Sequence, residues 1–215
     1  MKKFDLTNSV VEGTEWISRL AIANLVWLLF SLPLITLVPA TGALFQLMSD
    51  WSNGETAKPI FRTFMHYFKQ NFWSSFKIGL PVCIIMFILF LDSWFLNTQM
   101  TATAGIQIYK YALYTFGILF GLTSLYSCPL SKKVNVSVSR LFLTGMVLMV
   151  SQPLISLLLL ISIIVMAIVL LKWPALAFFF SVSVLAWLAT LAMDKAYKKN
   201  SKNILKEQAN NSDLT

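Results

Sequence analysis

The sequence predicts an all-α protein, a polytopic transmembrane helix bundle of about five spans, with amphipathic interfacial helices between spans one and two. Three observations carry that prediction. Of 215 residues, 57% are hydrophobic and only 12% are charged, too little polar surface to cover a water-soluble domain of this size. Five apolar stretches approach the roughly 20 residues that a helix needs to cross a hydrocarbon core of ~30 Å. Lysine and arginine, 17 against 9 acidic residues, flank these stretches and form no continuous basic face. Their placement points to a lipid bilayer as partner and away from nucleic acid.

The first twenty residues, "MKKFDLTNSVVEGTEWISRL", place Asp5, Glu12 and Glu15 ahead of a late and long apolar run. A signal peptide has a shorter run and no such acids before it, so this segment is expected to be retained. The first span is read at about 17–38. It contains Asn24, Trp27, Ser31, Pro33 and Thr36, with Pro39 just beyond. Proline lacks a backbone N–H and clashes with the preceding helical turn, so Pro33 and Pro39 should bend and end this span.

Residues 40–75 read as an interfacial segment. Leu44, Leu47, Met48 and Trp51 recur at i, i+3, i+4 and i+7, one face of a helix. Beyond "SNGE", Ile60, Phe64, Phe68 and Phe72 stand four apart, with Arg62, His66 and Lys69 on other faces. Aromatic rings favour the headgroup zone and long basic side chains snorkel out of it. These two helices are expected to lie along the inner leaflet or to cap the bundle, as packing elements or as a surface for a partner. The remaining spans are read at about 77–97, 107–130, 147–171 and 173–194. The apolar run from Leu141 to Leu171 is too long for one straight crossing and should bend near Gly145 or Pro153. Residues 195–215 form a polar tail expected to fray, and the whole chain, 1–215, reads as a single membrane domain.

With five spans, Lys2, Lys3, Arg19, Lys110 and Lys172 share one side and the other twelve of the 17 basic residues share the opposite one. Basic residues favour the cytoplasm, so the N-terminus is expected outside and the C-terminus inside. In that topology Pro33, Pro39, Pro81, Pro129 and Pro153 gather at the cytoplasmic face. They fit either an inner half that is splayed and hydrated, with Thr36 and Gln152 within reach of the cytoplasm, or the ordinary collection of proline at helix ends. "SLPLITL" at 31–37 is echoed by "SQPLISL" at 151–157 on the same side.

No enzymatic chemistry is legible. One histidine excludes a multi-histidine metal site, and H-E-x-x-H, C-x-x-C, P-loop, G-x-G-x-x-G and G-x-S-x-G patterns are all missing. No catalytic, cofactor-binding or metal-ligating residue is therefore expected, and no cofactor. Asp92, Lys110, Lys172 and Asp194 all fall near span ends, which argues against ion-coupled transport. Asn24 is read chiefly as an interhelical hydrogen-bonding residue, with a substrate contact as the other use. Gly117 and Gly121 form a G-x-x-x-G that would let two helices approach closely, within the chain or between copies in a homo-oligomer. Cys83 and Cys128 lie in apolar runs and are expected as buried free thiols.

The stretch "NLVWLLFSLPLITLVPATGALFQLMSDWSNGE", followed by "IFRTFMHYFKQNF", resembles the YesL-like family of bacterial membrane proteins, a domain of unknown function. The resemblance rests on Asn24, Trp27, Ser31, Pro33, Thr36, Pro39 and Ala40 and on the aromatic-basic segment that enters span two. Val38 departs from it, since glycine is expected there. The resemblance covers residues 1–80 well and the rest by hydropathy. It implies a bacterial plasma membrane protein, often encoded near carbohydrate uptake and polysaccharide degradation systems, and it supplies no catalytic residues. The expected role is a non-enzymatic accessory or regulatory partner of such an uptake system, in contact with transporter subunits. The alternative is an uncoupled small-solute channel or permease.

Overall fold

A computed structural model describes the backbone of residues 6–98, 104–134 and 136–212. Among the described residues there are eight α-helices and no strand: α1 Leu6–Ser31, α2 Leu37–Ser52, α3 Ile60–Gln70, α4 Phe72–Thr98, α5 Ala104–Leu130, α6 Val138–Ser151, α7 Pro153–Lys172 and α8 Pro174–Ser212. The stretches Phe72–Thr98, Gly105–Leu130, Pro153–Lys172 and Pro174–Ser201 are long and apolar enough to cross a membrane, and α6 is a shorter apolar helix. Proline placement follows backbone chemistry. Pro39, Pro153 and Pro174 stand in first turns, where the missing N–H costs nothing, and Pro59 precedes α3. Only Pro81 and Pro129 lie inside a helix.

The first expected span is divided. α1 stops at Ser31, one 3-10 turn follows at Leu34–Thr36, and α2 then starts at Leu37. Thr36 holds the corner, donating its hydroxyl to Phe30 O and Pro33 O, both at 2.7 Å. The apolar part of α1 after Arg19 is thus only about 18 Å long at 1.5 Å per residue, well short of a ~30 Å core. α2 doubles back along α1: Trp27 Nε1 donates to Thr41 Oγ1 at 3.1 Å, and further along Trp16 meets Trp51 edge to face at 5.9 Å. α2 is apolar on nearly all sides and is enclosed, with Ala40, Ala43, Leu44, Leu47, Met48 and Trp51 all buried. α3 is the amphipathic one. Its Phe61, Phe64 and Phe68 surround Phe30 of α1, while Arg62 and His66 face out. Gly54, at φ 90°, makes the turn between α2 and α3.

α1 packs antiparallel to α8, with Trp16 against Trp187 at 4.9 Å and Asn24 against residues 178–183. α5 and α4 also run antiparallel, as do α7 and α8. The early part of α1 and the later turns of α8 therefore stand at one end of the bundle. The return through α2 adds one reversal that the count of five crossings lacks.

The long apolar run after Leu141 breaks at Gln152, directly before Pro153. Both echoed segments act alike: Ser31 and Ser151 each end a helix two residues before a proline. α8 continues as helix to Ser212, past the point where fraying is expected, because Lys, Ala, Leu, Glu and Gln favour helix there. At the bundle's basic end Asp194 of α8 accepts from Ser52 at 2.6 Å and pairs with Lys133 at 2.6 Å, tying α2, the α5–α6 loop and α8 together.

Candidate functional site

α2, α4 and α5 enclose a cavity of about 130 Å³. Two glycines bring the walls together. A Cβ on Gly42 would fall 2.1 Å from Ser75 Oγ, and one on Gly79 would fall 2.5 Å from Val38 Cγ1, so α2 and α4 touch backbone to side chain at both places. Pro39, Pro81 and Pro129 each stand within two residues of a wall residue, Val38, Val82 and Cys128 respectively. At Pro81 and Pro129, which lie inside their helices, proline withholds one helical N–H and loosens the ladder beside the cavity.

α5 ends just past Pro129 in a tight turn, with Lys132 N donating to Pro129 O and Lys133 N to Leu130 O. The two adjacent lysines then part. Lys133 reaches Asp194, whereas Lys132 folds back into the cavity and donates to Ser75 Oγ at 3.2 Å. Burial pushes the Lys132 ammonium below the ordinary lysine value. Among the described residues no carboxylate lies within ion-pairing distance of it. The other hydroxyls in the wall are already committed: Thr41 donates to Leu37 O and Ser131 to Cys128 O. Lys132 thus keeps N–H donors, and Ser75 its hydroxyl proton, for something other than the protein.

A larger apolar groove of about 410 Å³ continues from this cavity, sharing Thr41, Phe45, Val82 and Cys128 with it. Its floor is α5 at Gly117 and Gly121. A Cβ on Gly117 would meet only Leu89 Cδ1, at 4.0 Å, and one on Gly121 would meet nothing within 4 Å. The glycine pair therefore opens a groove and does not seat another helix. The close approaches lie elsewhere, at Gly42, Gly79 and Gly145, the last with Ser127 Oγ 2.4 Å from an added Cβ.

A second polar site joins α1 to α8. The Asn24 amide donates to Phe178 O at 2.8 Å and accepts from the N–H groups of Val182 and Ser183 at 3.1 and 3.0 Å. Val182 N–H and Phe178 O are the i and i−4 partners of an ordinary helix. One buried side chain thus serves both, inserted beside the backbone ladder of α8. This is the structural use of Asn24.

Of the other residues singled out in the sequence, Trp27 and Thr36 hold the α1–α2 corner together with Ser31, whose hydroxyl donates back to Trp27 O. Pro33 is exposed in the corner and Pro39 is buried in the first turn of α2. Gln152 is buried at the α6–α7 break, where its carbonyl accepts from Ile155 and Ser156, and Pro153 opens α7. Neither of these last two reaches the cavity. Cys83 and Cys128 are free thiols that both line it, but Cys83 is exposed, because α4 turns that face outward. Sequence reasoning missed Lys132, Ser75, Gly42 and Gly79. Lys132 looks like any topology-setting charge in the sequence, and only the turn after Pro129 aims it inward. Beyond the α2–α3 turn, Tyr67 donates to Asp50, and burial followed by that carboxylate raises the phenol well above its ordinary value.

The family described as "Protein of unknown function, DUF624" matches residues 20–93. "Uncharacterized protein YesL" of Bacillus subtilis (strain 168) is 27% identical over 211 residues, covering 95% of this chain and 99% of that protein. "Uncharacterized protein YteU" of the same organism is 34% identical over 119 residues, 54% of this chain and 52% of that one. "Uncharacterized protein YesV", also from that organism, is 28% identical over 145 residues, 61% of this chain and 68% of the other. No solved structure matches the chain. The matched residues 20–93 span the α1–α2 corner, α3 and most of α4, and so include Asn24, Gly42, Ser75 and Gly79.

Proposed function

The chain belongs to a YesL-like family of unknown function, and on that premise we propose that it is a non-enzymatic accessory or regulatory partner of a carbohydrate uptake system in a bacterial plasma membrane. The observation that carries a partner-binding role is the outward character of α4 and α7. Between Ser75 and Leu96 no residue of α4 is buried, and α7 buries only Ser156 and Leu159. Phe87, Phe90 and Trp94 are each more than half exposed. These faces are free for lipid or for helices of transporter subunits. The carbohydrate setting is what the family resemblance implies. A channel fits less well. Several internal polar groups are bonded to one another, as in Tyr126 donating to Ser156, which in turn donates to Met149 O. The groove beside α5 carries only the hydroxyls of Thr41 and Ser124, and each is bonded to its own helix.

Purification in mild detergent should recover transporter subunits in stoichiometric amounts. Solute flux through the pure protein in liposomes would sink the accessory reading and favour the permease.

We place the early part of α1 and the late turns of α8 both on the cytoplasmic side. Lys2 and Lys3 precede the described residues. Of the other fifteen basic residues, only Lys110 and Lys172 stand at the end of the bundle opposite the α2–α3 turn, the α5–α6 loop and the late turns of α8. Over the same fifteen residues the five-span topology gives twelve against three, so the reversal through α2 moves Arg19 to the richer side and steepens the bias to thirteen against two. In a background without native cysteines, Gly13→Cys, Asn53→Cys and Ser201→Cys should all be labelled from the cytoplasm, and Gln107→Cys from outside. Gly13 is the discriminating position, and an added Cβ there meets nothing within 4 Å. Labelling of Gly13→Cys from outside would restore the five-span topology.

A further inference from the structure

We propose that the cavity at Lys132 and the groove beyond it form a binding site for one anionic phospholipid. Its headgroup phosphate would sit on the Lys132 ammonium and the Ser75 hydroxyl, and one acyl chain would lie along Gly117 and Gly121. The site does not depend on the accessory role or on the identity of any transporter.

Four observations converge. Lys132 is a part-buried cation whose one hydrogen-bond partner among the described residues is a neutral hydroxyl at 3.2 Å. A cation withdrawn from water is costly unless an anion compensates it, and its neighbour Lys133 already holds the nearby carboxylate of Asp194 at 2.6 Å. Ser75 is buried and accepts from Lys132, so its own proton is available to a phosphate oxygen. Gly42 keeps the space open there, since Lys132 Nζ lies only 3.8 Å from the position of an added Cβ. The charged cavity then runs without a break into an apolar groove walled by Val82, Met86, Leu122, Leu125 and Ile163.

The dimensions suit a lipid in one leaflet. Lys132 stands just beyond α5, at its basic end, and Gly121 is eleven residues back along the same helix. That is about 16 Å, half of a hydrocarbon core of ~30 Å. The missing side chains at Gly117 and Gly121 leave the trough in which a chain could lie. A small anion would use Lys132 and Ser75 but would leave the groove unexplained. A helix from a second copy would fill the groove but leave the ammonium uncompensated. A phospholipid satisfies both.

The full chain, delipidated in a nonionic detergent, would be titrated with phosphatidylglycerol and with phosphatidylcholine of the same acyl length, and read by native mass spectrometry. One phosphatidylglycerol should bind at least about tenfold more tightly than phosphatidylcholine, because the choline ammonium offsets the phosphate charge and is repelled by Lys132, whereas the glycerol headgroup leaves a net negative charge to compensate it. Lys132→Gln should abolish that preference, while Lys110→Gln, at the opposite end, should leave it unchanged. Gly121→Leu, which fills the groove without touching the charge, should weaken phosphatidylglycerol severalfold. Unchanged thermal unfolding of each variant would show that the fold is kept, and Lys132→Arg should restore the preference in part. Equal affinity for the two lipids, or equal losses in Lys132→Gln and Lys110→Gln, would overturn the site. Displacement by inorganic phosphate with no effect of Gly121→Leu would replace the lipid with a free anion. A dimer that Gly121→Leu disrupts without any lipid dependence would assign the groove to a second copy.

Discussion

Asn24→Leu is expected to destabilise the protein by about 2 kcal/mol and to uncouple α1 from α8. Leucine matches asparagine in bulk but supplies neither the donor to Phe178 O nor the acceptor for Val182 and Ser183 N–H. In hydrocarbon no water takes over, so these groups must re-pair or remain unsatisfied. Leucine would also remove the polar hold of α8 on the face of α1 that carries Ala23 and Val26, both buried. Stability in detergent should therefore fall by roughly 4–8 °C in unfolding temperature. A cysteine crosslink between the positions of Trp16 and Trp187, now 4.9 Å apart at ring centroids, should form more slowly in Asn24→Leu. Unchanged stability together with an unchanged crosslinking rate would show that the amide only fills space.

Gly42→Ala is the second large effect, and its contrast with the G-x-x-x-G pair makes it specific. The new Cβ would lie 2.1 Å from Ser75 Oγ and 2.5 Å from Ser75 Cβ. Rotating the hydroxyl relieves the first clash but not the second, so α2 must move away from α4. Overpacking of this kind costs typically 1–3 kcal/mol. It would also displace the partner of Lys132 and so lower phosphatidylglycerol binding. Ser75→Gly in the same chain removes both clashing atoms and should recover most of the stability but not the lipid binding. Gly117→Ala and Gly121→Ala should be nearly neutral in stability, since an added Cβ there meets nothing closer than 4.0 Å. Denaturant unfolding of the four variants in one detergent decides the matter. Equal losses at Gly42 and Gly121 would mean that α5 packs as the glycine pattern alone suggests.

The helix class and the crossing of a bilayer by several segments are legible residue by residue, because both follow from local facts. An apolar run of about 20 residues needs a membrane wherever it occurs. The break at Pro153, the amphipathic α3 with its phenylalanines four apart, and the turn at Gly54 are equally local. The candidate site was not legible in this way. Gly42 and Ser75 are 33 positions apart and Lys132 lies 57 beyond Ser75, and nothing near any of them in sequence announces the others. Gly117 and Gly121 misled for the same reason: the spacing states that a close approach is possible, not that a helix stands opposite.

By itself the sequence determined that this chain is a basic, helical membrane protein without recognisable enzymatic chemistry, since composition, hydropathy and motif spacing are properties of short windows. Only the tertiary structure decided that α1 turns back through α2, that the early part of α1 and the late part of α8 stand at one end, and that Lys132 points into a cavity while Lys133 pairs with Asp194. Those outcomes depend on which helix faces meet, and helix faces are chosen by packing across the whole bundle. A glycine, an asparagine and a lysine that look ordinary in sequence become a close approach, a backbone splice and an uncompensated charge once their neighbours are fixed.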